Sequence, residues 1–150
     1  MSGAPGLACG AMTSSAGFLV VPIGRVVSEL VSLADAPKQG DEGDCVAWIE
    51  LRADVAVGLR GVEVGSESIV LTWLHLARRD VLEVHPRGDQ SRALTGVFAT
   101  RSPHRPNPIG LHRVTLLDRR GDALRVSGLE AVDGTPVLDI KSIVGPASER

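Results

Sequence analysis

Ten residues, Arg101-Ser102-Pro103-His104-Arg105-Pro106-Asn107-Pro108-Ile109-Gly110, constrain the fold more than any other stretch of the chain. Each proline fixes its own φ and pushes the residue before it, here Ser102, Arg105 and Asn107, out of the α region. No helix passes through, and the missing backbone donors exclude a central strand. What remains is a stiff connector between two strand-like runs, presenting two guanidiniums, an imidazole and a carboxamide. A loop ordered in advance suits the capture of an anionic or hydrogen-bonding ligand. It equally suits a structural crossing whose arginines satisfy nearby carbonyls, and the loop alone leaves both readings open.

The 150 residues fit one ordinary domain with a sizeable core. A net charge of −2 gives no global basic field, so any contact with nucleic acid must be local. Tyrosine is absent and aromatics make up 3% of the chain, which argues against the rows of stacking residues that bind single strands without sequence preference. Cys9 and Cys45 have no CxxC spacing and form neither a disulfide framework nor a zinc site. Residues 1–17, mostly Gly, Ala and Ser with no basic leader, read as a flexible tail, and residues 146–150 as a second. No run is long enough to span a bilayer, and a reduced, cytoplasmic setting is the default.

Between the tails, residues 18–145 read as many short strands separated by Gly and Pro turns. A strand is expected within 18–30, a polar loop over 32–44, and a strand at 45–51 with Val46, Trp48 and Ile49 inward. The spacing of Val55, Ala56 and Leu59 predicts one short amphipathic helix over 52–60, closed by Gly61. Further strands are predicted at 67–77, 80–84, 94–100, 109–117, 123–129 and 137–140, with turns at Gly121-Asp122 and Asp133-Gly134-Thr135-Pro136. This pattern predicts an all-β fold: a single small β-barrel of short, mostly antiparallel strands with one or two short helices. The βαβ alternation of a dinucleotide-binding sheet is missing, and no GxGxxG, P-loop or paired-histidine metal motif is present.

Gly96-Val97-Phe98-Ala99-Thr100 running into the proline loop, and the segment from Leu129-Glu130-Ala131-Val132 through Asp133-Gly134-Thr135-Pro136 to Asp139-Ile140-Lys141, resemble the TsaA/TrmO family. Two weaker matches, Ile23-Gly24-Arg25-Val26-Val27-Ser28 and Pro37-Lys38-Gln39, extend the resemblance over about residues 21–144 in family order. It implies a β-barrel methyltransferase that binds S-adenosyl-L-methionine without a Rossmann sheet, as a homodimer. The implied acceptor is N6 of the threonylcarbamoyl-adenosine beside the tRNA anticodon.

Carried over residue by residue, the resemblance implies cofactor contacts at Pro37, Lys38, Gln39, His75, Leu76, Arg101, Leu111, Ser127, Gly128, Leu129 and Glu130. The chemistry is consistent: Arg101 or Lys38 for a carboxylate, Glu130 for ribose hydroxyls, backbone around Leu111 and Leu129 for an adenine edge. His104, Arg105, Asn107 and Lys141 are the expected contacts to the tRNA anticodon loop or to a small-molecule acceptor. No catalytic base and no metal ligand are assigned: Asp133 reads as a turn former and Asp139 as a partner for Lys141. The sequence departs from the family pattern at Glu29, at Ser66-Glu67-Ser68-Ile69 and at Ser142-Ile143. With the sequence ending at Arg150, the C-terminal domain of longer members is expected to be missing, which bears on the acceptor more than on the cofactor. A small-molecule methyltransferase and a non-catalytic cofactor-binding module are the alternatives.

Overall fold

Residues 17–32 and 45–145 are described by a computed structural model. Apolar residues at every second position put one face of each main strand inward. In β3 (Glu67–Trp73) the inward positions are Val70 and, as buried hydroxyls, Ser68 and Thr72. The other strands are β1 (Gly24–Val27), β2 (Val46–Leu51), β4 (Glu83–Val84), β5 (Thr95–Gly96), β6 (Ile109–Arg120), β7 (Ala123–Ser127) and β8 (Pro136–Ser142). Six of them close into an antiparallel barrel in the order β1-β2-β7-β6-β3-β8, with β8 pairing back onto β1. The all-β barrel anticipated from the sequence is thus the observed fold. Closure leaves no free edge among these six strands, while β4 and β5 form a small separate ladder.

The interior holds Val26, Ile49, Val70, Leu124, Val126 and Val137 among its most buried side chains. Two departures from regular pairing bend the sheet, one between Leu71 and Thr72 against β8 and one between Leu116 and Asp118 against β7. β1 lies close against β2, where a Cβ on Gly24 would sit 2.3 Å from the Glu50 carbonyl oxygen.

Several expectations need correction. In β2 the inward positions are Ala47 and Ile49, while Val46 and Trp48 face out. Trp48 lies under the Arg120 guanidinium at 5.1 Å, a cation–π partner outside the barrel that makes an outward indole favourable. The helix over 52–60 is a 3-10 segment, Ala53–Leu59, not an α-helix; its inward residue is Leu59, and Gly61 follows with φ +87°. The strands predicted at 80–84 and 94–100 shrink to two-residue pieces, the second because Val97–Ala99 winds into a 3-10 turn. β3 ends at Trp73, so His75 lies in the following turn.

Candidate functional site

Five segments meet at one mouth of the barrel. The turn after β3 supplies Leu74, His75, Leu76 and Ala77, and the stretch after β7 supplies Glu130, Ala131 and Val132. Thr135 comes from the turn into β8, Pro103 from the proline loop, and Leu30 from the residues after β1. They line a narrow, mostly apolar slot, and among the described residues His75 and Glu130 are its titratable walls. The Asp133-Gly134 turn is held by the Ser28 amide, which donates to Asp133 Oδ1 at 3.0 Å, and by Gly134 with φ +80°. This turn fixes the approach of Val132 and Thr135 to the mouth.

Of the residues expected at a cofactor, His75, Leu76 and Glu130 therefore come together at the slot. Glu130 Oε1 lies 3.9 Å from Cys45 Sγ. Gly128 makes the bend that brings Glu130 there: its φ is +85°, its amide donates to the Cys45 carbonyl at 2.8 Å, and a Cβ on it would sit 2.6 Å from the Arg113 carbonyl oxygen. Ser127 closes β7 opposite both Val46 and Thr115. Leu129 is buried in the core, so only its backbone is left to meet a ligand. Arg101, two residues before Pro103, is exposed and donates from Nη2 to the Leu111 carbonyl at 3.2 Å. Pro37, Lys38 and Gln39 lie outside the described residues.

The expected acceptor contacts are distributed differently. Arg105 turns into its own loop, donating to the carbonyls of Ser102, Val97 and Thr100 at 2.8, 2.9 and 2.7 Å. This is the structural alternative that the sequence left open. His104 Nδ1 accepts from the Arg78 amide at 3.0 Å, which puts the proton of the neutral ring on Nε2. Asn107 Oδ1 accepts from Arg79 Nη2 at 3.3 Å, and Arg79 also stacks on Trp73 at 5.2 Å. Lys141 stands on β8 opposite Ile69, paired with Asp139 at 2.8 Å, and does not line the slot.

Sequence reasoning missed Leu30, Leu74, Ala131 and Val132, which read as ordinary core residues until barrel closure brings them to one rim. It also missed His112. This imidazole points into the barrel and shares a 2.9 Å hydrogen bond with the buried Thr72 hydroxyl. Burial, with a smaller contribution from the Arg101 guanidinium, lowers its pKa from 6.5 to about 4, so it is neutral near pH 7. Inward alternation along β6 at Gly110, His112 and Val114 was the available signal.

A closed antiparallel barrel with a mostly apolar slot at its mouth and one carboxylate on the wall defines a small-ligand-binding β-barrel. The chain belongs to the family of tRNA-methyltransferase O N-terminal domains, whose model matches residues 25–147. A probable S-adenosyl-L-methionine-binding protein of Methanothermobacter thermautotrophicus is 47% identical over 120 residues, covering 80% of this chain and 85% of that one. An S-adenosyl-L-methionine-binding protein of Archaeoglobus fulgidus is 45% identical over 124 residues, covering 83% and 88%. A crystal structure of TrmO from Pseudomonas aeruginosa superposes with a TM-score of 0.68 at 31% identity. That match covers 90% of this chain but 61% of the longer TrmO chain.

Proposed function

We propose that this protein is an S-adenosyl-L-methionine-dependent methyltransferase whose acceptor is N6 of threonylcarbamoyl-adenosine beside the tRNA anticodon. The observation that carries the reading is the slot itself, whose walls come from the segments bearing the family's motifs. Its donor set fits the cofactor: an apolar cleft between Leu74, Leu76 and Val132 suits a purine, and the Glu130 carboxylate is an acceptor for ribose hydroxyls. Arg101 retains guanidinium N–H groups beyond its single bond to Leu111, enough to receive a carboxylate. The bound cofactor supplies an activated methyl group.

The chain's own residues hold and orient. Asp133 accepts from the Ser28 amide and Asp139 pairs with Lys141, neither of them lining the slot, whose titratable walls are His75 and Glu130. Neutral His112 behind Arg101 adds no competing positive charge. The outer face of the sheet sets Leu71 opposite Leu111 and Trp73 opposite Ile109, an apolar surface that supports self-association as a homodimer. A cytoplasmic setting belongs to the same reading. Among the described residues no helix is long and apolar enough to cross a membrane.

The test is transfer of labelled methyl from the cofactor to tRNA isolated from cells lacking this gene. Label in a modified adenosine of the digest is the expected result. Absence of label in tRNA, with cofactor binding intact by calorimetry, would overturn the acceptor. Loss of cofactor heat in the wild type would overturn the methyltransferase itself. In the same calorimetry, Arg101→Ala is expected to weaken cofactor binding about tenfold, the size of one charge-assisted contact.

A further inference from the structure

Phe98 is one of two phenylalanines in the chain and is 80% exposed, although its neighbour Val97 is 1% exposed. This contrast is built rather than accidental. The Val97 amide donates to the Leu82 carbonyl at 2.9 Å. The Val97 carbonyl accepts from the Thr100 amide at 3.1 Å, the Thr100 hydroxyl at 3.0 Å and Arg105 Nη2 at 2.9 Å. Arg105 also grips the Thr100 carbonyl at 2.7 Å. The turn is pinned on both sides of Phe98, and a rigidly projected ring loses little entropy when something stacks on it.

Charge says what that something is. Residues 75–105, which hold Phe98, contain six arginines against Asp80, Glu83 and Asp89, a surplus of three in a chain of net charge −2, so the remainder carries −5. Arg78 is paired with Asp80 and Arg92 with Asp89. Arg87 has no hydrogen bond or ion pair among the described residues and is the one described non-glycine residue with positive φ, +57°. It stands at the tip of the β4–β5 arm. A flat apolar ring carried by a segment with a surplus of positive charge matches single-stranded RNA, whose unstacked bases settle on aromatic faces while cations meet phosphates.

We propose that Phe98 is the stacking platform for an unstacked base of the tRNA anticodon loop, with Arg87 on the arm tip meeting the phosphate backbone. This rests on the tRNA reading above and names the surface that would recognise it. The experiment is steady-state methylation of tRNA from cells lacking this gene, by the full chain carrying Phe98→Ala, Phe98→Trp or Arg87→Ala. Calorimetry with cofactor alone and light scattering accompany each variant.

Phe98→Ala is expected to raise KM for tRNA about tenfold, the size of one base–aromatic stack, with kcat and cofactor affinity held. Phe98→Trp should restore KM, because any aromatic face serves. Arg87→Ala should raise KM and reduce its salt dependence. An unchanged KM in Phe98→Ala, or Phe98→Trp behaving like Phe98→Ala, overturns the proposal. So does a Phe98→Ala protein whose loss accompanies a change of oligomeric state, which would assign the ring to a second copy of the chain. Wild-type protein that leaves tRNA unmethylated overturns the function proposed above and this surface with it, whereas normal wild-type activity with silent variants overturns the surface alone.

Discussion

His112 shows how one inward side chain can report on the whole fold. Its ring is held neutral between the Thr72 hydroxyl and the charge of Arg101, with a pKa lowered from 6.5 to about 4, chiefly by burial. Between those values the unfolded chain binds a proton that the folded chain refuses, so this residue lowers stability as pH falls through the window and adds nothing to the slope above it. The shift corresponds to on the order of 3 kcal/mol across the interval. Chemical denaturation from pH 7 to pH 4 is expected to show the wild type losing stability more steeply than His112→Asn by about that amount. Parallel slopes would mean that the imidazole is already solvated in the folded state.

Among the elements, the bend after β7 deserves the sharpest test, because Gly128 combines positive φ with backbone contact at the position a Cβ would take. Gly128→Ala is expected to destabilise the barrel by roughly 2–3 kcal/mol and to weaken cofactor binding by displacing Glu130. Gly121 at the β6–β7 tip is the control: its φ is +58° with nothing nearby, so Ala there should cost about 1 kcal/mol and leave the cofactor unaffected. Thermal melts and calorimetry on both variants separate the two effects. That tip and the Asp133-Gly134 turn were legible in the sequence because turn chemistry is local. The facing of Trp48 was not, since its partner Arg120 lies on a strand that only the three-dimensional pairing brings alongside. The slot was half legible: motif residues such as Glu130 announced themselves, while Leu30 and Val132 carried the same apolar signature as the core.

For the molecule as a whole, the separation of charge matters more than its total. A surplus of three positive charges over residues 75–105 stands against −5 in the rest of the chain, and the proposed RNA surface lies on that segment. Binding of an anticodon stem-loop is expected to fall with salt, with a log–log slope of roughly −2 or steeper if about three cations engage phosphates. Cofactor binding measured alone should change far less over the same range. A flat salt response of RNA binding would point to contacts that do not involve the backbone phosphates.

The arm carrying β4 and β5 is clipped at its root, where the Arg78 amide donates to His104 Nδ1 at 3.0 Å and the Arg105 amide donates back to the Arg78 carbonyl at 3.1 Å. Because those two bonds fix where the arm leaves and rejoins the barrel, its length and sequence beyond them are uncoupled from closure of the six-stranded wall. The protein is in that sense a chassis with an exchangeable attachment. Segments grafted between Asp80 and Phe98 could redirect which acceptor is offered to the slot without rebuilding the slot.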